Sequence, residues 1–152
     1  MKKYLLLICS VCAIGLFACQ KNQTVAQAQV DDAKIQQYLK TNNITMTKDP
    51  SGVYYRIMKP GTGAYPVATD TVKLVYSYSF LNGQVGQTDA QLRGNVLNSL
   101  VTGFQIGVEH INSGGRIEFI MPSGLAYGPA GSGSDIPPNA ILYYTVDLQG
   151  FY

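Results

Sequence analysis

The 152-residue sequence predicts an α+β protein in which an antiparallel sheet is covered on one face by one short helix. Apolar residues recur at every second position in 72–80, 116–121 and 141–148, as in half-buried strands. Apolar residues in 101–111 recur instead at helical spacing. Because about one hundred residues follow Pro50, we expect one domain with a single core.

The N-terminus is typical of a secretory signal. Two lysines at 2–3 precede an apolar run at 4–18, which is shorter than the ~20 residues that a membrane-spanning helix needs. The run ends in Leu16-Phe17-Ala18-Cys19, which resembles the lipobox of bacterial lipoproteins, where the signal is cut before a lipid-bearing cysteine. We therefore predict a signal peptide at 1–18 and lipidation of Cys19. A plain signal peptide that ends elsewhere, or an uncleaved anchor, is the alternative.

Lipidation would hold the protein on a membrane of the cell envelope, and we expect the periplasmic side of the outer membrane. Removal of the lysines at 2–3 from the 11 basic residues leaves nine, equal to the nine acidic residues. This neutral balance, with no basic stripe, predicts no nucleic-acid partner. No feature of the chain demands a dimer, and we expect a monomer.

Residues 19–30 lack apolar periodicity and predict a flexible tether, followed at 31–49 by a short helix and a linker. Asp31 or Asp32 can cap that helix, and its apolar residues share one face. A helix of about ten residues is marginal alone, so we expect this face to dock on the following domain. A partner-binding helix is the alternative.

The domain at 50–152 divides at glycines, prolines and asparagines. The expected strands are, in order, 52–58, 72–80, 116–121 and 141–148. Asn82-Gly83 predicts a tight turn, and the polar stretch at 84–98 is expected to be irregular. The helix at 101–111 would bury Phe104, Val108 and Ile111.

The stretch from Met121 to Ala140 is rich in glycine, serine and proline, so it cannot form a helix or a central strand. It nevertheless carries Leu125, Tyr127 and Ile136. A loop stiffened by prolines can hold these side chains over the mouth of a cavity. A long hairpin connection with a few stray apolar residues is the alternative.

Several short motifs, in their order and spacing, resemble the FKBP-type peptidyl-prolyl cis-trans isomerases over residues 50–152. They are Gly52-Val53-Tyr54-Tyr55, Pro60-Gly61-Thr62-Gly63, 72–76, Asn82-Gly83, Gly114-Gly115, Leu125-Ala126-Tyr127-Gly128 and Ile136-Pro137-Pro138-Asn139-Ala140. The resemblance implies an antiparallel half-barrel wrapped around one short helix. The helix before Gly52 is similar to the segment that precedes the domain in FKBP-like lipoproteins of the Bacteroidetes type.

This resemblance implies catalysis at X–Pro bonds of exported proteins, with no cofactor and no metal, and binding of macrolide-type inhibitors. The family's pocket wall and floor fall on Tyr76, Phe104 and Tyr144. Its loop residues over the substrate fall on Tyr127 and Ile136. At the start of the helix, Leu100 and Val101 match substrate-binding positions, where the backbone N–H of Val101 would bind a carbonyl.

One departure concerns Gly86-Gln87, which stands where the family usually has Phe-Asp. The resemblance makes Gln87, or Asp89 two positions later, the polar partner near the pocket. Loss of an aromatic wall predicts a wider pocket with reduced activity. A non-catalytic chaperone that binds extended or proline-containing segments in the same groove is therefore the alternative function. The sole histidine, His110, and the absence of any catalytic triad or phosphate-binding motif leave other chemistries unsupported.

Overall fold

A computed structural model describes residues 25–152, which form two α-helices, three short 3-10 helices and one six-stranded sheet. The elements are α1 (25–41), β1 (Thr47–Lys48), β2 (Tyr54–Lys59), β3 (Thr71–Phe80), β4 (Val85–Val96), α2 (Thr102–Glu109), β5 (Arg116–Met121) and β6 (Leu142–Phe151). The strand order is β1-β2-β5-β6-β3-β4, and all neighbours are antiparallel. The α+β prediction is confirmed. The predicted signal peptide and Cys19 lie outside the described residues.

The four strands that the sequence predicts are found close to their predicted positions. β3 and β5 match their expected positions closely, β2 is displaced by one or two residues, and β6 continues to Phe151. On β5, Ile117, Phe119 and Met121 are fully buried, because alternate side chains of the strand point into the core. The short β1 lies in the stretch that was expected to be a linker.

The expectation of irregular structure at 84–98 is wrong, since β4 occupies twelve of these residues. β4 is an edge strand whose residues are mostly exposed, and it is hydrogen-bonded along one side to β3. Only Ala90 and Leu92 are partly buried. A polar strand of this kind is stabilised by its partner strand, so it lacks the alternating pattern that marks a buried face.

α2 forms as predicted and packs across the inner face of the sheet. Phe104 and Val108 are buried in the helix, and Ile111 is buried just after it. Gly103 and Gly107 allow this close approach, since a Cβ atom at either position would overlap a side chain of β5. The main core lies between α2 and the sheet.

α1 packs on the opposite, outer face. Ile35 and Leu39 contact Tyr54, Ile120 and Ile141 in a second apolar cluster, and this is the docking that the sequence predicts. The helix is longer than expected, because residues 25–30 are helical and not part of a flexible tether. Alanine and glutamine in this stretch favour helix. Among residues 25–152, no helix combines the length and apolarity needed to cross a membrane.

Candidate functional site

A small cavity of about 80 Å³ opens on the inner face of the sheet, beside the start of α2. We call it the aromatic pocket; it is lined by Tyr76, Leu92, Leu100, Val101, Phe104, Tyr127 and Tyr144. None of these side chains carries a charge. The lining combines residues from β3, β4, α2, β6 and the loop after β5, so only the folded chain forms it.

Aromatic rings form the wall and floor of the pocket. The Phe104 ring lies edge-on to Tyr76 and to Tyr144, with centroids 5.8 Å and 5.2 Å apart. Beneath them Phe119 stacks on Tyr144 at 5.4 Å. Edge-to-face and offset-stacked pairs are the favourable geometries for aromatic side chains, so these contacts stabilise the wall.

The start of α2 supplies a hydrogen-bond donor at the pocket. Val101, the N-cap residue, has an extended backbone, and no group in residues 25–152 accepts a hydrogen bond from its N–H. The neighbouring carbonyl of Leu100 already accepts one from Gln105 Nε2 at 2.6 Å. A free N–H at the first turn of a helix, next to an apolar cavity, is suited to binding a carbonyl oxygen.

The tyrosine hydroxyls around the pocket are also unpaired. Those of Tyr76, Tyr78, Tyr127 and Tyr144 form no hydrogen bond within residues 25–152, and none of them is sealed from solvent. Burial, followed by the nearby Tyr127, Tyr76 and Tyr78 hydroxyls, raises the pKa of Tyr144 far above its usual value. The Tyr144 hydroxyl therefore stays neutral at physiological pH.

The loop between β5 and β6 presents Tyr127 to the pocket. Ser132 and Ile136 are joined by two backbone hydrogen bonds of 2.8 Å and 3.1 Å, and the Asn139 N–H donates to the Gly128 carbonyl. The side chain of Ile136, predicted to lie over the substrate, is instead 7% exposed and packed into the main core. Ile136 therefore supports the loop, whereas Tyr127 lines the pocket.

A buried carboxylate connects this loop to α1. Asp31 is fully buried, and its Oδ2 accepts hydrogen bonds from the Ser123 N–H at 2.8 Å and the Ser123 hydroxyl at 2.6 Å. Its Oδ1 accepts a third, from Gln27. The prediction that Asp31 or Asp32 caps the helix is wrong, because both lie inside α1. Asp31 instead anchors Ser123, which leads to Tyr127 in the loop.

The structure explains why residue 86 is a glycine. A Cβ atom at this position would overlap the ring of Tyr78, which lies directly against the backbone of β4. The Tyr78 ring therefore occupies space that a side chain at position 86 would take, and it packs on Tyr144 at 5.4 Å. An aromatic ring is thus present on this side of the pocket although residue 86 has no side chain.

The two predicted polar partners do not reach the aromatic pocket. Gln87 pairs with Tyr78 across the sheet and is exposed. Asp89 lies at an irregularity in the β3–β4 register, has a φ of 49°, and bonds to Ser77 through its N–H. The Asp89 carboxylate also accepts a hydrogen bond from the Ser77 hydroxyl at 3.4 Å, and Ser77 points to the face of β3 opposite to that of Tyr76.

Sequence reasoning missed Leu92 as a pocket residue, because β4 was expected to be irregular. The spacing of Ala90 and Leu92, two apolar residues two positions apart in a polar stretch, was the available signal. In residues 25–152 no group of three or more His, Cys, Asp and Glu side chains could hold a metal ion. The lining of the pocket offers apolar contact through its aromatic and aliphatic side chains and hydrogen bonding through its tyrosine hydroxyls and the Val101 N–H.

Comparison with known proteins agrees with this geometry. Residues 63–149 match the family model described as FKBP-type peptidyl-prolyl cis-trans isomerase. The FKBP-type peptidyl-prolyl cis-trans isomerase FkpA of Aeromonas hydrophila is 40% identical over 102 residues, which cover 64% of this chain and 37% of that protein. A probable FKBP-type isomerase of Haemophilus influenzae is 31% identical over 133 residues, covering 84% of this chain and 54% of that protein.

Among solved structures, the crystal structure of FkpA from Escherichia coli is similar with a TM-score of 0.71 and 25% identity. The match covers 91% of this chain and 70% of that one. The chain therefore belongs to the family of FKBP-type peptidyl-prolyl cis-trans isomerases. It spans about a third to a half of the length of the curated relatives to which it was compared.

Proposed function

We propose that this protein catalyses cis–trans isomerisation of X–Pro peptide bonds, with the aromatic pocket as the site that receives the proline ring. The observation that carries the proposal is an uncharged aromatic cavity placed beside the N–H of Val101, which has no acceptor within residues 25–152. A proline ring is apolar and compact, and the carbonyl next to it needs a donor. The pocket and the N–H match these two requirements.

The chemistry needs no nucleophile and no metal. Rotation about an X–Pro bond is opposed by amide resonance, with a barrier of about 18–20 kcal/mol. A site accelerates it by removing water from the bond and by fitting the twisted amide better than the planar one. Because the Tyr144 hydroxyl stays protonated, the pocket keeps its uncharged character at physiological pH.

Each pocket residue has a role in this proposal. Tyr76, Phe104 and Tyr144 hold the proline ring, and the hydroxyl of Tyr127 donates to a substrate carbonyl from the loop. The Val101 N–H binds a second carbonyl, with Leu100 beside it. Ile136 supports the loop, and Gln87 and Asp89 have no part in binding, because they lie outside the pocket.

We propose that activity is reduced relative to family members that keep the usual carboxylate. The Tyr78 ring lies against Gly86 and packs on Tyr144, so an aromatic side chain stands behind the pocket wall close to the one that is missing. No carboxylate of residues 25–152 lines the pocket, however, and within these residues the hydroxyl of Tyr76 has no partner to orient it. Loss of one hydrogen bond from a site costs about 0.5–1.5 kcal/mol, or about twofold to twelvefold in rate.

We place the protein in the cell envelope and propose exported polypeptides that contain proline as its clients. One relative, from Legionella longbeachae, is named outer membrane protein MIP. The lipobox-like sequence before Cys19 supports attachment through lipid. Replacement of Cys19 with serine should leave the protein in the soluble fraction, and mass spectrometry of the wild-type chain should find the lipid on Cys19.

A protease-coupled isomerisation assay with Leu-Pro and Phe-Pro peptides tests the proposed activity. Tyr127→Ala should remove most of the acceleration, and Tyr127→Phe should show how much the hydroxyl contributes. Tyr65→Ala is the matched control, since Tyr65 is 55% exposed and does not line the pocket. A folded wild-type protein that leaves the rate at background would contradict the proposal.

A non-catalytic chaperone is the second candidate, favoured by the absence of a carboxylate from the pocket. In that case the protein should slow aggregation of an unfolded client and bind proline peptides without accelerating their isomerisation. The same Tyr127→Ala variant separates the two functions. It would weaken peptide binding in both cases, but only an isomerase has a catalytic rate to lose.

A further inference from the structure

A second and larger cavity lies beside α1. It has a volume of about 780 Å³ and lies between α1, the β3–β4 turn and the segment that leads into β6. We call it the side groove. It is formed by residues of the α1 segment between 33 and 41 and by Asn42 just after it, by residues 80–84 and by residues 137–141.

The floor and the rim of the side groove differ in chemistry. Phe80, Leu81 and Ile141 form an apolar floor beside α1. The rim carries amide side chains, those of Gln37, Asn42, Asn82, Gln84 and Asn139. Because an amide both donates and accepts hydrogen bonds, such a rim can pair with either polar group of a peptide backbone.

The charge of the lining residues further restricts the kind of ligand that the groove can bind. Among the described residues that line the groove, Lys34 is the one that carries a charge. The groove therefore offers no array of charges for a nucleic acid, a phosphate or a strongly charged peptide. An extended polypeptide with apolar side chains and an unpaired backbone fits the chemistry of the groove. The volume of the groove also lies within the range of about 300–1,000 Å³ that is usual for binding clefts.

Aromatic side chains of β3 connect the side groove to the aromatic pocket. Tyr76, Tyr78 and Phe80 are spaced two residues apart, so they lie on one face of the strand. The Tyr78 ring packs against Phe80 in the groove floor and against Tyr144 in the pocket wall, with ring centroids 6.0 Å and 5.4 Å apart. Four residues of strand separate Tyr76 from Phe80, which is about 14 Å.

We propose that the side groove binds an extended apolar segment of the same client polypeptide whose X–Pro bond lies in the aromatic pocket. An extended chain covers the distance between the two sites with about four residues. The groove thus selects clients by apolar side chains about four residues from the proline. This inference rests on the proposed isomerase function, which supplies the occupant of the pocket.

The test compares short and long substrates on groove variants of the full chain. The short substrate is a tetrapeptide with one X–Pro bond, and the long ones carry a Leu-Phe pair four residues before or after the proline. Ala33→Trp fills the groove from α1, and Gln37→Trp does so one turn later. Ala28→Trp is the matched control, because Ala28 is exposed on the same helix and does not line the groove.

Both groove variants should raise KM for one of the long peptides by about tenfold, which corresponds to about 1.4 kcal/mol of lost binding. Values of kcat/KM for the tetrapeptide should stay unchanged, and Ala28→Trp should behave as wild type. Replacement of the Leu-Phe pair with Asp-Asp should abolish the difference between the long and short peptides. Equal KM values for all peptides on the wild-type protein would overturn the proposal.

Failure of the isomerase function can be told apart from failure of the groove. If no peptide is turned over, the affinity of a fluorescent Leu-Phe peptide without proline still tests the groove directly. Weaker binding in Ala33→Trp and Gln37→Trp, but not in Ala28→Trp, would support it, and equal binding would overturn it. A self-associating wild-type chain that becomes monomeric in the groove variants would show a second copy as the occupant and would also overturn it.

Discussion

Tyrosine hydroxyls are hydrogen-bonded on the outer face of the sheet, whereas those around the aromatic pocket on the inner face have no partner within residues 25–152. Neighbouring residues of β6, Tyr143 and Tyr144, point to the outer and inner face, respectively. On the outer face the Tyr143 hydroxyl donates to Glu118 at 2.6 Å, and that of Tyr54 donates to Asp32 at 2.7 Å. On the inner face the hydroxyl of Tyr144 has no partner within residues 25–152.

This difference separates structural from functional polar groups. A paired hydroxyl stabilises the fold, whereas an unpaired one at a cavity is available for a ligand. The outer face also carries ion pairs, Arg56–Glu118 and Lys48–Asp32. The inner face has an uncharged cavity instead. The candidate site therefore lies where tyrosine hydroxyls and a backbone N–H have no hydrogen-bond partner within residues 25–152.

Adjacent buried residues on the two faces provide the strongest test of this comparison. Phe119 and Ile120 are both fully buried, the first under the pocket and the second under α1. Phe119→Ala should lower the free energy of unfolding by about 3–5 kcal/mol and Ile120→Ala by about 2–5 kcal/mol. Urea denaturation measures both effects.

Activity should then distinguish the two variants. Removal of the Phe119 ring takes away the surface on which Tyr144 stacks, so KM for a proline peptide should rise. Ile120→Ala leaves the pocket intact, and its folded fraction should keep the wild-type KM. Equal KM values in both variants would show that the inner face does not support the pocket.

Removal of the Asp31 carboxylate should disturb both faces at once. Asp31→Ala would leave the N–H and hydroxyl of Ser123 buried without an acceptor, which costs about 1–3 kcal/mol for each unsatisfied group. The loop that bears Tyr127 should also become looser, so KM should rise. Urea denaturation and peptide kinetics measure these effects. The exposed Gln29→Ala is the control, and an unchanged KM in Asp31→Ala would refute the link between α1 and the loop.

Gly86 and Tyr78 should behave as a coupled pair. Gly86→Phe should lower stability by about 1–3 kcal/mol, because the new side chain overlaps the Tyr78 ring. Combining it with Tyr78→Gly should remove that clash. A double-mutant cycle of urea denaturation should give a coupling energy of about 0.5–3 kcal/mol. Additive costs would indicate that the two positions do not share one space.

Tyr143 and Tyr144 allow a direct comparison of hydroxyls. Tyr143→Phe removes a hydrogen bond to a carboxylate and should cost about 1.5–3 kcal/mol. Tyr144→Phe loses no hydrogen bond within the described residues, so its cost should stay below about 0.5 kcal/mol. Thermal or urea denaturation measures both. A larger loss in Tyr144→Phe than in Tyr143→Phe would reverse the assignment of the two faces.

The smallest predicted effect is the pH dependence of the outer face. A hydrogen bond from Lys48 holds the pKa of Asp32 below its ordinary value of 3.8. Because the folded-state pKa is lowered, the stabilisation is complete above the unfolded-state pKa and is lost as the pH falls through the folded value. Asp32→Asn should cost about 0.2–1 kcal/mol at neutral pH and nothing in strong acid. A difference that persists in strong acid would contradict this origin.

The sequence predicts the buried elements better than the exposed ones. β5 and α2 have apolar faces with the right period, and both occur at their expected positions. β4 was missed, because an exposed edge strand owes its shape to backbone hydrogen bonds with β3. The helical structure of 25–30 was missed as well, since polar composition alone does not separate helix from tether.

Most of the side chains that the family resemblance assigns to the site surround one cavity in the structure. Tyr76, Phe104 and Tyr144 are in its wall, since their strands and helix have strong apolar patterns. Gln87, Asp89 and Ile136 are elsewhere. Their positions depend on a bulge in β4 and on packing of the loop, which spacing along the chain does not reveal.

The sequence by itself determined the α+β class, the inward faces of β3, β5 and β6, and the family, because periodicity and local motifs are properties of neighbouring residues. The tertiary structure alone decided how Tyr78 covers Gly86, how Asp31 anchors Ser123, and where the side groove lies. These features join residues far apart in the chain. They depend on close packing and on satisfying buried polar groups, and both are settled only when the elements meet.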